Sequence, residues 1–170
     1  GEIMEMEHSQ AFFEIANPRL AGTLVPVFSL RSEGSYGVGD FGDLRLMIDW
    51  VAYTGQRVLQ ILPINDTTVT HTWKDSYPYS CISIFALHPQ YVDFRQLPAL
   101  KDKKKAAEYE ALREKLNALK QIDYERVNKA KREYLRLIFA QEGQKVLAST
   151  EFKRWFAEEQ HWLVPYAQYC

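Results

Sequence analysis

Cysteine is scarce in this sequence: two in 170 residues, Cys81 and Cys170. They lie far apart and fit no metal-ligand or redox spacing, which argues against a zinc module or disulfide framework and for a reduced intracellular setting. Neither has the surroundings of a nucleophile. An excess of charge of one sign is missing as well. Against 21 Lys and Arg stand 22 Asp and Glu, a formal net charge of -1, too weak a field to draw in nucleic acid or an anionic membrane. No apolar run approaches the ~20 residues that span a bilayer. The N-terminal G-E-I-M-E-M-E-H has no basic region leading into an apolar one, as a secretory leader would, so a cytoplasmic protein is expected. Internal repeats are lacking, and K-D-K-K-K from Lys101 to Lys105 is the one low-complexity run.

What is present is apolar material: 46% of the residues are hydrophobic and 14% aromatic. That is enough for one sizeable core, hence one domain or a piece of a larger one. The character changes near residue 98. Gly22 to Leu30, G-T-L-V-P-V-F-S-L, is a continuous apolar run that predicts a strand buried on both faces. Four glycines follow in R-S-E-G-S-Y-G-V-G-D-F-G and call for unusual backbone angles or close approach. Next, Leu44, Met47, Ile48 and Val51 share one face of an amphipathic helix with Gly55 as its stop. Asp40 is placed to cap that helix or hold the loop before it. Leu59 to Ile64 then reads as a second strand, ended by Pro63. Strand, loop, helix and strand make a βαβ unit, for which parallel pairing with a right-handed connection is expected.

The second half reads as helical. Lys101 to Lys120 carries Ala106, Tyr109, Leu112, Leu116 and Leu119 at helical spacing, with the lysine run as a solvated start. A further helix is expected from Tyr124 to Glu142, with Gly143 after it. S-T-E-F-K-R-W-F-A predicts a cap at Ser149 or Thr150 and a short helix with Phe152, Trp155 and Phe156 inward. H-W-L-V-P-Y-A-Q-Y-C reads as the opening of another helix. Trp155, Phe156 and Trp162 are expected in the core, docking onto missing parts of the fold being the second reading.

Two parallel strands do not make a complete sheet, since such strands need cover on both faces and further neighbours. The fold class expected is therefore α/β: the βαβ opening of a (β/α)8 TIM barrel in residues 1–98, followed by a helical insertion in 99–170, with the barrel truncated. In barrels the loops at the C-terminal strand ends build the active site. Asn65 to Ser80 would be such a loop. Trp73, Tyr77 and Tyr79 offer flat apolar faces with polar tips, and Asn65, Asp66, Asp75 and Ser76 offer short hydrogen-bonding groups. A sugar presents the complementary pattern, an apolar C–H face rimmed by hydroxyls. The same composition also suits a long loop whose aromatics plug the fold and whose polar residues satisfy their own turns. His71 and His88, each without a second ligand, read as hydrogen-bonded structural residues, with His88 before Pro89 ending an element.

L-V-P-V-F-S-L-R-S, G-V-G-D-F-G-D-L, Q-I-L-P-I-N-D-T and D-S-Y-P-Y-S-C-I-S-I-F-A-L-H-P, in this order, closely resemble the N-terminal part of the catalytic barrel of the 4-α-glucanotransferases, the amylomaltase or disproportionating-enzyme family. N-D-T, D-S-Y-P-Y-S and A-L-H-P place the resemblance in the branch related to the plant cytosolic enzymes. It covers Leu20 to Pro89 at high specificity. Through the helical half it is weaker, where I-D-Y-E-R-V and K-R-E-Y-L fit the family's insertion.

The resemblance implies a retaining transfer of glycosyl units between α-1,4-glucans, with maltose or maltooligosaccharide as donor, a glucan as acceptor and neither cofactor nor metal. Such chemistry needs two carboxyl groups about 5 Å apart, which the family takes from later strands, so no catalytic residue is expected in this chain and the chain alone is expected inactive. Asp40, Asp66 and Asp75 match none of those roles. The resemblance carries over substrate placement: Tyr79, after Pro78, matches the aromatic at the subsite next to the cleaved bond. Tyr77 stands where shorter amylomaltases have serine. Asn65 and Asp75 are candidate hydroxyl binders or loop anchors, and Trp73 a platform for a second sugar or a loop-packing residue. An open sheet edge also predicts self-association. The alternative is a stand-alone carbohydrate-binding or protein-interaction module.

Overall fold

The structure, a computed structural model, describes residues 20–170. The N-terminal stretch read above for a leader lies outside the described residues. Strand β1 (Gly22–Leu24) pairs in parallel with β2 (Val58–Gln60), Thr23 facing Leu59. The amides of Val25 and Arg57 extend the ladder at either end, bonding Gln60 O and Ala21 O at 2.9 Å. Between them runs helix α1 (Phe41–Tyr53), so the βαβ unit is formed as its sequence predicts. Both strands are shorter than expected, and Leu24 and Val58 are exposed instead of buried on both faces. The reason is physical: a parallel strand is buried only when layers cover both faces and neighbours flank it, and the described residues supply two strands. Among them there is no third strand with which Ile61 to Ile64 could pair.

Asp40 caps α1. Its carboxylate accepts from the amides of Gly42 (2.9 Å) and Asp43 (3.0 Å), while Asp43 accepts the Asp40 amide at 3.1 Å, a reciprocal capping box. Arg95 ties this corner to the segment after residue 88, reaching Asp40 at 2.7 Å, Asp43 at 3.4 Å and Asp93 at 2.5 Å. Burial raises the Asp40 pKa, against the pull of those amides.

Three further helices follow: α2 (Lys103–Asn117), α3 (Tyr124–Ala148) and α4 (Thr150–Tyr169), capped by Asp102, Asp123 and Ser149. Lys101 to Lys105 are all exposed, as a solvated helix start should be. The core sits between the glycine-rich loop and the helices, where Tyr36, Val38, Leu116, Val127 and Ala130 are buried together and Phe28, Phe94, Tyr109 and Leu112 close over them. Gly37 explains part of the glycine content. Its φ is +76°, and a Cβ there would lie 2.9 Å from Leu116 Cβ. Lys131 is buried beside this core with its ammonium bonded to Gln90 O (2.6 Å) and Val92 O (2.9 Å) and 4.9 Å from the Phe94 ring centre. Burial pulls its pKa down to about 8.

Two helix boundaries differ from expectation. Gly143 does not stop α3 but lies buried within it against the Phe139 ring, where a Cβ would come within 2.9 Å of Cε2. The two short C-terminal helices are one, α4, running through Pro165; proline removes one N–H donor but does not by itself end a helix whose other bonds hold. The inward placement of Trp155 and Phe156 is also overturned. They are 41% and 37% exposed, and α4 buries none of its residues fully, because no layer among the described residues covers that face. Trp162 is half-buried and stacks on Phe85, ring centres 5.6 Å apart.

Candidate functional site

After β2 the chain enters the Asn65 to Ser80 loop, which is tied down along its length. The amides of Asp66, Ile82 and His88 bond Ala86 O, Asp66 O and Ile64 O at 2.8–2.9 Å, folding the loop back on residues 82–88. Asn65 contributes an anchor: its side-chain amide donates to Ile84 O at 2.9 Å, and its backbone bridges Leu87. Asp66 Oδ1 accepts the Thr68 amide at 3.0 Å and Oδ2 the Tyr166 hydroxyl of α4 at 2.5 Å.

Asp75 is the centre of the loop. It is 6% exposed, and its carboxylate accepts the amides of Val69 (3.1 Å), Thr70 (2.9 Å) and His71 (2.7 Å) together with the Thr70 hydroxyl (2.9 Å). Burial alone would disfavour its charge, but these donors outweigh that and lower its pKa. Every oxygen is engaged, so of its two expected roles the geometry supports loop anchor over hydroxyl binder. His71, held by the same carboxylate, takes φ of 58° and accepts from Arg132 of α3 at 2.7 Å through Nδ1.

Two residues beyond this anchor the character reverses. Tyr77 and Tyr79 are each 59% exposed, their ring centres 5.5 Å apart and planes inclined by 48°. Neither hydroxyl has a hydrogen-bond partner among the described residues. Trp73 is 67% exposed and is fixed through its backbone amide, which donates to Glu125 at 3.0 Å. Its ring is not packed into the loop. Thus the five residues singled out from sequence divide into two anchors, Asn65 and Asp75, and three displayed aromatics.

A family model described as 4-alpha-glucanotransferase, Glyco_hydro_77, matches residues 25–170. The chain belongs to the 4-alpha-glucanotransferase family. Among its relatives, the rice (Oryza sativa subsp. japonica) "4-alpha-glucanotransferase DPE2" is 43% identical over 152 residues, 89% of this chain and 16% of that protein. The "4-alpha-glucanotransferase" of Chlamydia trachomatis is 40% identical over 149 residues, 86% of this chain and 27% of its own length. That of Chlamydia muridarum is 35% identical over 150 residues, 88% of this chain and 28% of its own. This glucanotransferase-family chain therefore spans between a sixth and about a quarter of the relatives it matches.

Sequence reasoning missed how the helical half engages the loop. A cavity of about 1100 Å³ opens between the loop, α3 and the end of α4, with Asp66, Asp75, His88, Tyr124, Arg132 and Tyr166 in its lining. Asn65, Trp73, Tyr77 and Tyr79 are not part of that lining. His88 caps the turn Pro89–Tyr91, its Nδ1 accepting the Gln90 amide at 3.1 Å, as a structural histidine would. Burial lowers its pKa to about 4, although Asp66 and Asp75 oppose this. Tyr124, the tyrosine of I-D-Y, stands 2.9 Å from His88 Nε2 and 3.1 Å from Asp75 O. Only the I-D-Y string hinted at it, because a contact across 49 residues leaves no periodic trace.

Proposed function

We propose that this chain forms the opening of the catalytic (β/α)8 barrel of a 4-α-glucanotransferase, with residues 1–98 contributing the first strands and loops and residues 99–170 a helical insertion. In that protein Tyr79 and Tyr77 line the subsite beside the cleaved bond, and a glycosyl unit passes from maltose or a maltooligosaccharide to a glycogen- or starch-like acceptor with retention. The observation that carries this reading is the pairing of two exposed tyrosine rings with a loop fixed by Asp75 immediately before them. A ring held from behind and bare in front can stack on a sugar at little entropic cost on binding.

The nucleophile and the acid/base are two further carboxyl groups about 5 Å apart, supplied from outside this segment. Asp40, Asp66 and Asp75 are committed to capping and loop bonds. The cytoplasm is the setting of this reading. Leu24 and Val58, exposed on the short sheet, are where the isolated chain would self-associate, seen as oligomers in sedimentation. The test of function is glucosyl transfer from maltose to glycogen by the full-length protein. Tyr79→Ala is expected to lower kcat/KM by about 10- to 100-fold, as for loss of one stacked sugar contact, with Tyr79→Phe retaining most of it. Equal activity of all three proteins would refute the assignment.

A further inference from the structure

The hydrogen atoms around His88 can be assigned from its partners. Nδ1 accepts the Gln90 amide at 3.1 Å, so in the neutral ring the proton is on Nε2, and Nε2–H donates to the Tyr124 oxygen at 2.9 Å. The Tyr124 hydroxyl has one proton, and it goes to Asp75 O at 3.1 Å, since a carbonyl can only accept. The Thr67 hydroxyl donates to the same carbonyl at 2.5 Å. The result is a one-way relay from the Gln90 amide through His88 and Tyr124 to the backbone of Asp75, four residues ahead of Tyr79. Burial raises the Tyr124 pKa and so keeps that proton in place.

We infer that Tyr124, on the first turn of α3, is a positioning residue for the aromatic pair Tyr77 and Tyr79. It acts by fixing the backbone from which they project and makes no contact with sugar itself. This rests on the proposed glucan subsite. Without its hydroxyl, Asp75 O keeps Thr67, but the Nε2–H of His88, itself 3% exposed, loses its acceptor. Asp66 Oδ1 lies 4.0 Å from that nitrogen. A buried donor is not left unpaired cheaply, so the ring turns toward Asp66 and the relay no longer reaches the Asp75 carbonyl, the end of the loop from which the aromatic pair projects.

The experiment is a double-mutant cycle in the full-length protein, assayed by glucosyl transfer with maltooligosaccharide as donor. Tyr124→Phe is expected to lower kcat/KM about tenfold through KM, because stacking holds the sugar in ground and transition states alike. In a Tyr79→Ala background the same change is expected to cost less than about twofold, since there is no ring left to position. Val127→Ala, one turn along α3 and in the core, controls for general destabilisation and is expected to leave KM unchanged. If Tyr79→Ala impairs transfer but Tyr124→Phe does not, or if the two effects simply multiply, the positioning role is refuted while the subsite stands. A Tyr79→Ala protein with unchanged transfer overturns both.

Discussion

Replacing Asp75 by Asn isolates the charge that organises the loop, because the side chain keeps its shape. An Asn oxygen in the place of Oδ2 still meets the amides of Val69, Thr70 and His71, and the Thr70 hydroxyl can turn from donor to acceptor opposite the new NH2. What is lost is charge assistance. Hydrogen bonds to a charged group contribute roughly 1.5–3 kcal/mol and neutral ones roughly 0.5–1.5, so three bonds lose about 1 kcal/mol each. The expected cost is about 3 kcal/mol of loop stability, roughly a 100-fold rise in opening. Hydrogen exchange of the amides at 69–71 reads this directly. The global unfolding midpoint should move much less, since the buried cluster of Tyr36, Leu116 and Val127 contains none of these residues. Protection of these three amides unchanged within about threefold would refute the assignment of Asp75 as the anchor.

Gly37→Ala meets a left-handed backbone and the Leu116 side chain at once, so a loss of about 2 kcal/mol or more is expected in urea unfolding. His88 gives a pH dependence with a definite sign. Its folded pKa of about 4 lies below the ordinary 6.5, so the unfolded chain takes up the proton first. The stability this group contributes is present above pH 6.5 and lost as pH falls toward 4, on the order of 3 kcal/mol at roughly 1.36 kcal/mol per pH decade. His88→Asn should flatten that part of the urea-midpoint profile, and an unchanged profile would show that His88 is not the group responsible.

The local parts of the fold were legible because local chemistry sets them. G-D-F-G-D gave the cap of α1, Ser149 the start of α4, and the strand, loop, helix, strand order gave the parallel pair. Burial was not legible where it depends on partners: Trp155 and Phe156 have a core-like pattern, yet the layer that would cover them is not among the described residues. Gly143 and Pro165 show the same limit from the other side, since helix-breaking tendencies of about 1 and 3 kcal/mol give way when the flanking turns are held. At the candidate site, the resemblance and the loop composition picked out the aromatics, and the acid at 75 was readable as an anchor. The relay through His88 and Tyr124 was not, because its members are brought together by tertiary packing alone.

The claim on which the account turns is that Tyr79 presents its ring to a sugar. A crystal structure of the full-length protein with a bound maltooligosaccharide tests it most directly. A glucose ring is expected with its C–H face against Tyr79, about 4 Å from the aromatic plane, with Tyr77 beside it and the Asp75 bonds to residues 69–71 intact. A sugar bound across the cleavage site with both tyrosine rings turned away from it would contradict the account.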